Sequence, residues 1–306
     1  MIFLWQLENI RTPFFNEIMQ FVTYFGQELL IIAVICALYW CADKRFAYYL
    51  GFTYFTAGFC VQALKITFRI PRPWILDPEF KAVKSAIPAA TGYSFPSGHT
   101  QGATCLFFPL ALRAKKAWAK ILFILAFLCV GFSRMYLGCH TPKDVFVSMG
   151  LSIIIASVFW HFRSKLENVT TCTAQISVLL GILAFALAGY AWYLYHGQMI
   201  ALKYAMDCFK AAGAGLGFAL GWYLERTHLD FQPDSYSGKG QLLKFIIGIL
   251  LTLCVKLIIS FIFGSSILAK SAEYFILLLC IIYFYPYLCF SLSVLVFCAF
   301  FICRTM

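Results

Sequence analysis

The chain has 306 residues, of which 62% are hydrophobic and only 12% are charged. Soluble domains carry about 25% charged residues, so this composition excludes an ordinary soluble protein and indicates a chain embedded in lipid. The formal net charge is +11, and the basic residues are not gathered in a soluble domain. It therefore favours contact with anionic membrane lipids and argues against nucleic acid as a partner.

The N-terminal residues 1–16 predict an amphipathic helix at the membrane interface, without the features of a cleavable signal peptide. A membrane-spanning helix needs about 20 apolar residues, and this criterion predicts nine spans. They are approximately 17–40, 46–68, 99–114, 117–139, 143–163, 174–195, 206–224, 242–263 and 274–302. The predicted fold class is all-α, a polytopic membrane helix bundle with about nine transmembrane helices.

The sequence motifs are confined to the first part of the chain. We assign residues 1–165 as a catalytic transmembrane core and residues 166–306 as additional transmembrane helices of the same membrane domain. We interpret the second part as a layer for packing, for a homodimer contact or for substrate access. Lys256 lies near the centre of the eighth predicted span, where a charge is costly. It either pairs inside the bundle or lines a polar cavity.

Basic residues in the short loops predict the orientation. The loops after the first, third, fifth and seventh predicted spans carry more Lys and Arg than the opposite loops, including the cluster in residues 113–120. Cytoplasmic loops carry an excess of Lys and Arg. We therefore expect a multi-pass integral membrane protein with its motifs on the extracytoplasmic or lumenal face. In a bacterium this would be the plasma (inner) membrane.

The first motif places two cations at the end of the second predicted span. Lys65 ends an apolar helix, where it either snorkels to the interface or binds an anion. Arg72 follows between Pro71 and Pro73, which end the helix and restrict the backbone. A guanidinium held in this way can bind two phosphate oxygens with its planar fork.

The second motif is Ser97-Gly98-His99, directly before an apolar helix. Ser97 is a good N-cap residue, which is the simplest interpretation. A helix N-terminus also binds anions through its free N–H groups and its dipole, and Gly98 allows the backbone to approach a ligand closely. His99 would face that anion and could donate a proton.

The third motif joins Arg134, near the end of the fourth predicted span, to His140 and Asp144 at the start of the fifth. Arg134 is either a snorkelling end charge or a second phosphate-binding cation. Asp144 fits the N3 position of a capping box with Thr141. Alternatively, it accepts a hydrogen bond from one nitrogen of His140 and leaves the other nitrogen free to act as a nucleophile.

With these three motifs the chain resembles the type 2 phosphatidic acid phosphatase superfamily. This superfamily includes lipid phosphate phosphatases, sphingosine-phosphate phosphatases, glucose-6-phosphatase and bacterial undecaprenyl-diphosphate phosphatases. All three motifs match without a gap over residues 65–144, and the run SRMYLGCHTPKDV is particularly close to the family pattern. Beyond residue 165 the resemblance is vague.

The resemblance implies a role for each matching residue. His140 would attack phosphorus and form a phosphohistidine, Asp144 would orient His140, and His99 would protonate the leaving oxygen. The phosphate oxygens would be held by Lys65, Arg72, Ser97, the Gly98 amide and Arg134. The resemblance implies no metal and no cofactor, in agreement with the absence of a carboxylate cluster suited to magnesium in the sequence.

We therefore expect an integral-membrane, metal-independent phosphatase that hydrolyses a lipid phosphate or a polyprenyl diphosphate. Three alternatives remain open at this point. The chain could be a small-molecule (sugar) phosphate phosphatase, a lipid phosphotransferase, or a transporter that only holds phosphate. The transporter hypothesis leaves the pairing of His140 with Asp144 unexplained.

Overall fold

The computed structural model describes residues 1–163, 172–233 and 238–291, and every regular element in these ranges is helical. The main helices are α1 (Ile2–Asn9), α2 (Pro13–Tyr24), α3 (Glu28–Cys41), α4 (Lys44–Phe68), α5 (Pro73–Leu76), α6 (Gly98–Arg113), α7 (Ala117–Tyr136), α8 (Pro142–His161), α9 (Thr173–His196), α10 (Leu202–Leu224), α11 (Gly238–Phe263) and α12 (Ile267–Leu279). The predicted all-α class is therefore confirmed.

The predicted count of about nine spans is not confirmed. Among the described residues, five helices are long and apolar enough to cross a membrane, and the bent pair α2–α3 makes a sixth if it is one span. Helix α6 has only 16 residues, fewer than the roughly 20 that a span needs. The hydrophobicity of helix α4 is lowered by its tyrosines, its threonines and Gln62. Helix α10 carries three charged residues in its first half. The last predicted span, 274–302, extends beyond the described residues.

The N-terminal segment forms two helices rather than the single predicted one. Thr12 caps α2 and Pro13 occupies its first turn, which ends the continuity with α1. Helix α1 buries Leu4 and Leu7, and Trp5 Nε1 donates a hydrogen bond to Asp77 over 3.0 Å. This helix therefore packs on the long loop that follows α4.

The first half of the bundle is centred on α6. This helix packs against α4, α7 and α8. The ends of α4 and α7 and the beginnings of α6 and α8 lie at the same end of the bundle. There the Ser97 N–H donates to the Asp144 carbonyl over 3.1 Å, and Nη1 of Arg72 donates to the Cys139 carbonyl over 3.0 Å. The loop of residues 69–97 covers that end, and its Ser94 N–H donates to the Ile70 carbonyl over 2.8 Å.

Helix α10 packs through small residues on α12 of the second half and on α4 of the first half. A Cβ atom placed on Gly213 would lie 2.1 Å from the Ser271 carbonyl oxygen of α12, and one on Gly217 would lie 2.3 Å from that of Phe275. A Cβ on Gly215 would lie 2.1 Å from the Phe59 ring of α4. Small residues allow transmembrane helices to approach closely, so α10 fits tightly between α4 and α12.

Candidate active site

The predicted site residues meet at one end of the bundle, beneath the loop of residues 69–97. Helices α4 and α7 end there, and α6 and α8 begin there. The side chain of Ser97 caps α6 and that of Thr141 caps α8. Local capping therefore fixes the backbone beside the two histidines.

His140 lies between a guanidinium and a carboxylate and is 1% exposed. Its Nε2 atom is 2.8 Å from Nη1 of Arg72, and its Nδ1 atom is 3.6 Å from Oδ2 of Asp144. The predicted hydrogen bond between His140 and Asp144 is not formed, because 3.6 Å exceeds the range of about 2.7–3.2 Å for N–H···O bonds. The two groups are nevertheless close enough for the carboxylate to attract a proton on Nδ1.

Asp144 is the N3 residue of the capping box of α8 and faces His140 at the same time. Its Oδ2 atom accepts the Thr141 N–H over 2.8 Å and completes the predicted capping box. The same oxygen accepts the hydroxyl of Ser94 over 2.6 Å. Two donors therefore hold the carboxylate beside the imidazole. Ser94 was not singled out from the sequence, because it contacts Asp144 across 50 residues of chain and belongs to no recognisable pattern.

Arg72 connects the loop of residues 69–97 to the segment that carries His140. Its Nε atom donates to the Gly92 carbonyl over 2.8 Å, and its Nη1 atom donates to the Cys139 carbonyl over 3.0 Å. The side chain is buried, and burial lowers the pKa of Arg72 to about 10. The guanidinium is therefore still charged at neutral pH.

Lys65 and Arg134 are buried and do not snorkel. Lys65 is 7% exposed and its Nζ donates to the Tyr93 carbonyl over 2.7 Å, whereas Arg134 is 0% exposed. Nη1 of Arg134 donates to Thr23 Oγ1 over 3.0 Å, but its Nε and Nη2 atoms have no partner among the described residues. Buried donors without a partner are costly, so Arg134 is suited to bind an anion. Thr23, at the end of α2, carried no sequence signal.

His99 stands at the start of α6 with its Nε2 atom buried and without a hydrogen-bond partner in the described part of the chain. The N-cap interpretation of Ser97 agrees with the structure, because its Oγ accepts from the N–H of Thr100 over 3.4 Å. A Cβ atom on Gly98 would meet no atom within 4 Å. Gly98 and His99 line a cavity of about 360 Å³, so a ligand can reach this helix N-terminus.

The electrostatic environment keeps His140 neutral. Burial lowers the pKa of His140 well below its usual value of 6.5, and the positive charges of Arg72, Arg134 and Lys65 lower it further. A neutral imidazole is the protonation state that a nitrogen nucleophile requires. The structure therefore brings together a neutral histidine, three cations and one carboxylate. Within the described ranges, no group of three or more His, Cys, Asp or Glu side chains could hold a metal ion.

Comparison with known families accounts for both halves of the chain. Residues 46–167 match the family model described as the PAP2 superfamily, and residues 209–295 match the one described as the transmembrane extension of PAP2 superfamily phosphatases. The first match contains all the site residues predicted from the sequence. The second covers α11, α12 and most of α10, where the sequence showed no motif.

Three curated relatives show how far the similarity extends. Undecaprenyl-diphosphatase BcrC of Bacillus subtilis is 30% identical over 166 residues, which cover 53% of this chain and 81% of the relative. Phosphatidylglycerophosphatase B of the same organism is 27% identical over 171 residues, covering 52% of this chain and 80% of the relative. Sphingosine-1-phosphate phosphatase 1 of Rattus norvegicus is 25% identical over 253 residues, covering 77% of this chain and 57% of the relative.

The resemblance inferred from the three motifs is therefore confirmed by two independent kinds of comparison. The apolar helices agree with the transmembrane extension that one family model describes. The motif residues of the first half agree with the superfamily model and with relatives that are phosphatases. The chain belongs to the PAP2 superfamily and is a multi-pass membrane phosphatase.

Proposed function

We propose that the chain hydrolyses a lipid phosphate or a polyprenyl diphosphate through a phosphohistidine formed on His140. The observation that carries this proposal is the position of the imidazole. Its Nε2 atom lies 2.8 Å from the Arg72 guanidinium, and its Nδ1 atom faces the Asp144 carboxylate. Nε2 is thus on the side where cations would hold a phosphate, and Nδ1 is on the side where a carboxylate would hold a proton.

The first step transfers the phosphoryl group to the enzyme. The lone pair of His140 Nε2 forms a bond to phosphorus while the bond between phosphorus and the leaving oxygen breaks. The phosphate anion bound beside His99 favours the protonated, positively charged form of its imidazole. This imidazolium donates its proton to the leaving oxygen, so the leaving group departs as a neutral alcohol or as a protonated phosphate ester. The positive charge that develops on the imidazole is stabilised by Asp144 beside Nδ1.

The second step releases phosphate and restores the histidine. A water molecule gives a proton to His99 and attacks phosphorus, and the bond between phosphorus and Nε2 breaks. Catalysis of phosphoryl transfer depends mostly on positioning and on neutralising the phosphate oxygens. In this proposal Lys65, Arg72 and Arg134 supply that charge, together with the N-terminal amides of α6.

A lipid substrate is supported by the position of the site and by the relatives. The cations lie at the ends of apolar helices, so a phosphate bound there can keep a hydrocarbon tail among the spans. The relatives named above are phosphatases of undecaprenyl diphosphate, phosphatidylglycerophosphate and sphingosine 1-phosphate. Their shared chemistry is a phosphate on a long apolar chain.

The direct test is phosphate release from detergent-purified protein. We expect hydrolysis of dodecyl phosphate or farnesyl diphosphate that persists in excess EDTA, because the three cations and the helix N-terminus neutralise the phosphate. Vanadate should inhibit, since its trigonal-bipyramidal form resembles the phosphoryl group in transfer. Glucose 6-phosphate is the matched soluble substrate. Loss of activity in EDTA with recovery on adding magnesium would contradict the proposal, and so would a preference for the sugar phosphate.

The pH profile should show the neutral state of His140. Because the pKa of His140 is lowered well below 6.5, the enzyme should stay active as the pH falls through 6.5 and lose kcat/KM only below it. Lys65→Met removes one of the charges that lower this pKa, so the acidic limb should move to higher pH. Lys84→Met, on the exposed loop, is the control. An acidic limb that is the same in both variants would contradict this assignment.

We also propose that the site faces the extracytoplasmic or lumenal side. Helix α6 runs from the site at Gly98 to the opposite end at Arg113, so Lys84 and Lys116 lie at opposite ends of the bundle. A cysteine at position 84 should react with an impermeant thiol reagent in intact cells, whereas one at position 116 should not. The background should lack the exposed Cys129, Cys172 and Cys254. Labelling at position 116 but not at position 84 would show the opposite orientation and contradict this proposal.

A further inference from the structure

A second cavity continues from the candidate site into the contact between the two halves of the bundle. The cavity that contains His99 has a volume of about 360 Å³, and the adjoining one has a volume of about 250 Å³. Their walls have five residues in common, which are Glu28, Tyr54, Gln62, Gly98 and Gln101. The two cavities therefore adjoin along a shared wall, and the first of them contains His99, the residue proposed to protonate the leaving oxygen.

The second half of the chain supplies charged and polar groups to this space. Asp207 and Lys210 of α10 and Tyr274 of α12 line the adjoining cavity. Asp207 and Lys210 form an ion pair with a distance of 3.2 Å, so each is already neutralised by the other. Asp207 is also close enough to Lys65 to act on it electrostatically. The polar wall of the adjoining cavity therefore lies near Lys65, one of the proposed phosphate-binding cations.

Glu28 is the exception, because its carboxylate has no bonded cation. It lines both cavities and is exposed. Lys256 and Lys210 are near enough to act on its charge, but among the described residues no cation lies within 4.0 Å of the carboxylate and none donates it a hydrogen bond. Glu28 stands in the first turn of α3, where the helix dipole favours a negative charge, so its carboxylate is available to a cation on a bound ligand. Glu28 is in turn an opposite charge near Lys256 of α11.

The position of Glu28 relative to His99 is fixed by the break between α2 and α3. A Cβ atom on Gly26 would lie 2.6 Å from the His99 carbonyl oxygen, so the backbone of the break rests directly on the start of α6. Glu28 begins α3 only two residues later. The carboxylate is thus held on the leaving-group side of the site.

The chemistry of this wall selects among leaving groups. A leaving group that is itself a phosphate would bring a second anion toward an unpaired carboxylate, which is unfavourable. An alcohol that carries an ammonium group would instead form a charge-assisted hydrogen bond with it. A plain alkyl chain would leave Glu28 unpaired.

On the basis of the proposed function, we infer that this space is a leaving-group subsite, built jointly by α3 and the second half of the chain. It binds an amino alcohol, the alcohol part of a lipid phosphate that bears an ammonium group next to the phosphoester oxygen. Glu28 is the residue that binds the ammonium group. The helices after residue 165 therefore contribute to substrate selection.

The test compares two substrates that differ only in the ammonium group, 2-aminooctadecyl phosphate and octadecyl phosphate, in mixed micelles. The wild-type protein should prefer the amino compound in kcat/KM by about ten- to a hundredfold, the value of one hydrogen bond to a charged group. Glu28→Gln keeps the shape but removes the charge, and should lower this ratio to within about threefold of unity. Glu17→Gln, on the exposed face of α2, should keep the wild-type ratio.

A variant with the opposite expected effect guards against a purely structural explanation. Lys256→Met removes the cation that competes for Glu28, so the preference for the amino compound should rise severalfold. Equal kcat/KM values for the two substrates in the wild-type protein would overturn the subsite and leave the proposed function intact. Equal losses on both substrates in Glu28→Gln, with no change of ratio in Lys256→Met, would also overturn it. Hydrolysis of neither substrate would overturn the proposed function itself.

Discussion

Replacing His140 by alanine is expected to abolish phosphate release while the protein still inserts and purifies normally. The imidazole is the proposed nucleophile, and its Nε2 atom contacts Arg72 rather than an apolar neighbour. Rapid acid-free quenching of the wild-type protein with a ³²P-labelled substrate should trap label that is stable to alkali and labile to acid, the behaviour of a phosphohistidine. The alanine variant should carry no such label.

His161→Ala is the matched control, because His161 is an exposed histidine at the far end of α8. It should keep both the turnover and the label. Asp144→Asn should retain a small activity, since the imidazole remains and only the attraction for the proton on Nδ1 is lost; a decrease of about 10⁴-fold accompanies the same change in a serine protease triad. Phosphate release by His140→Ala well above the blank would exclude the covalent mechanism.

Arg72→Lys is expected to reduce kcat/KM by about 10²–10³-fold, although the charge is kept. In the structure one guanidinium spans three partners, the carbonyls of Gly92 and Cys139 and the ring of His140. A lysine ammonium is a point charge on a flexible stem and cannot reproduce this planar arrangement. Removing one positioned donor to a transition state typically costs this much.

The control for this change is Arg69→Lys, three residues earlier on the same loop. Arg69 is exposed, and among the described residues its guanidinium makes one hydrogen bond, to the Met199 carbonyl over 3.3 Å. Its replacement should change kcat/KM by less than about twofold. Equal effects of the two substitutions would show that Arg72 contributes only its charge.

The residues of the candidate site could be predicted from the sequence because their positions depend on local rules. Caps such as Ser97 and Thr141 act within a few residues, and they determine where α6 and α8 begin. Prolines on either side of Arg72 restrict its backbone in the same local way. Motifs at successive helix ends then meet at one end of an antiparallel bundle. The all-α class follows in the same way from hydrophobic composition.

The contacts that hold these residues depend on distant parts of the chain. Thr23 reaches Arg134 across 111 residues and Ser94 reaches Asp144 across 50, and a hydroxyl carries no sequence signal for such a partner. For the same reason the sequence could not identify Glu28 as the charge near Lys256, because Glu28 lies in the first half of the chain. The predicted number of about nine spans was not confirmed among the described residues, because it rested on hydropathy with approximate boundaries. Hydropathy does not show that α6 is short or that a 42° bend separates α2 from α3.

That bend has a consequence for how the enzyme can change. Within six residues it places Thr23 against Arg134, Gly26 against His99, and Glu28 in the wall of the cavity. A substitution that moves this segment shifts a phosphate cation, the proton donor and the leaving-group wall together. Turnover and substrate preference should therefore vary in concert across mutants of residues 23–28, and adaptation to a new lipid should require a compensating change on α10 or α12.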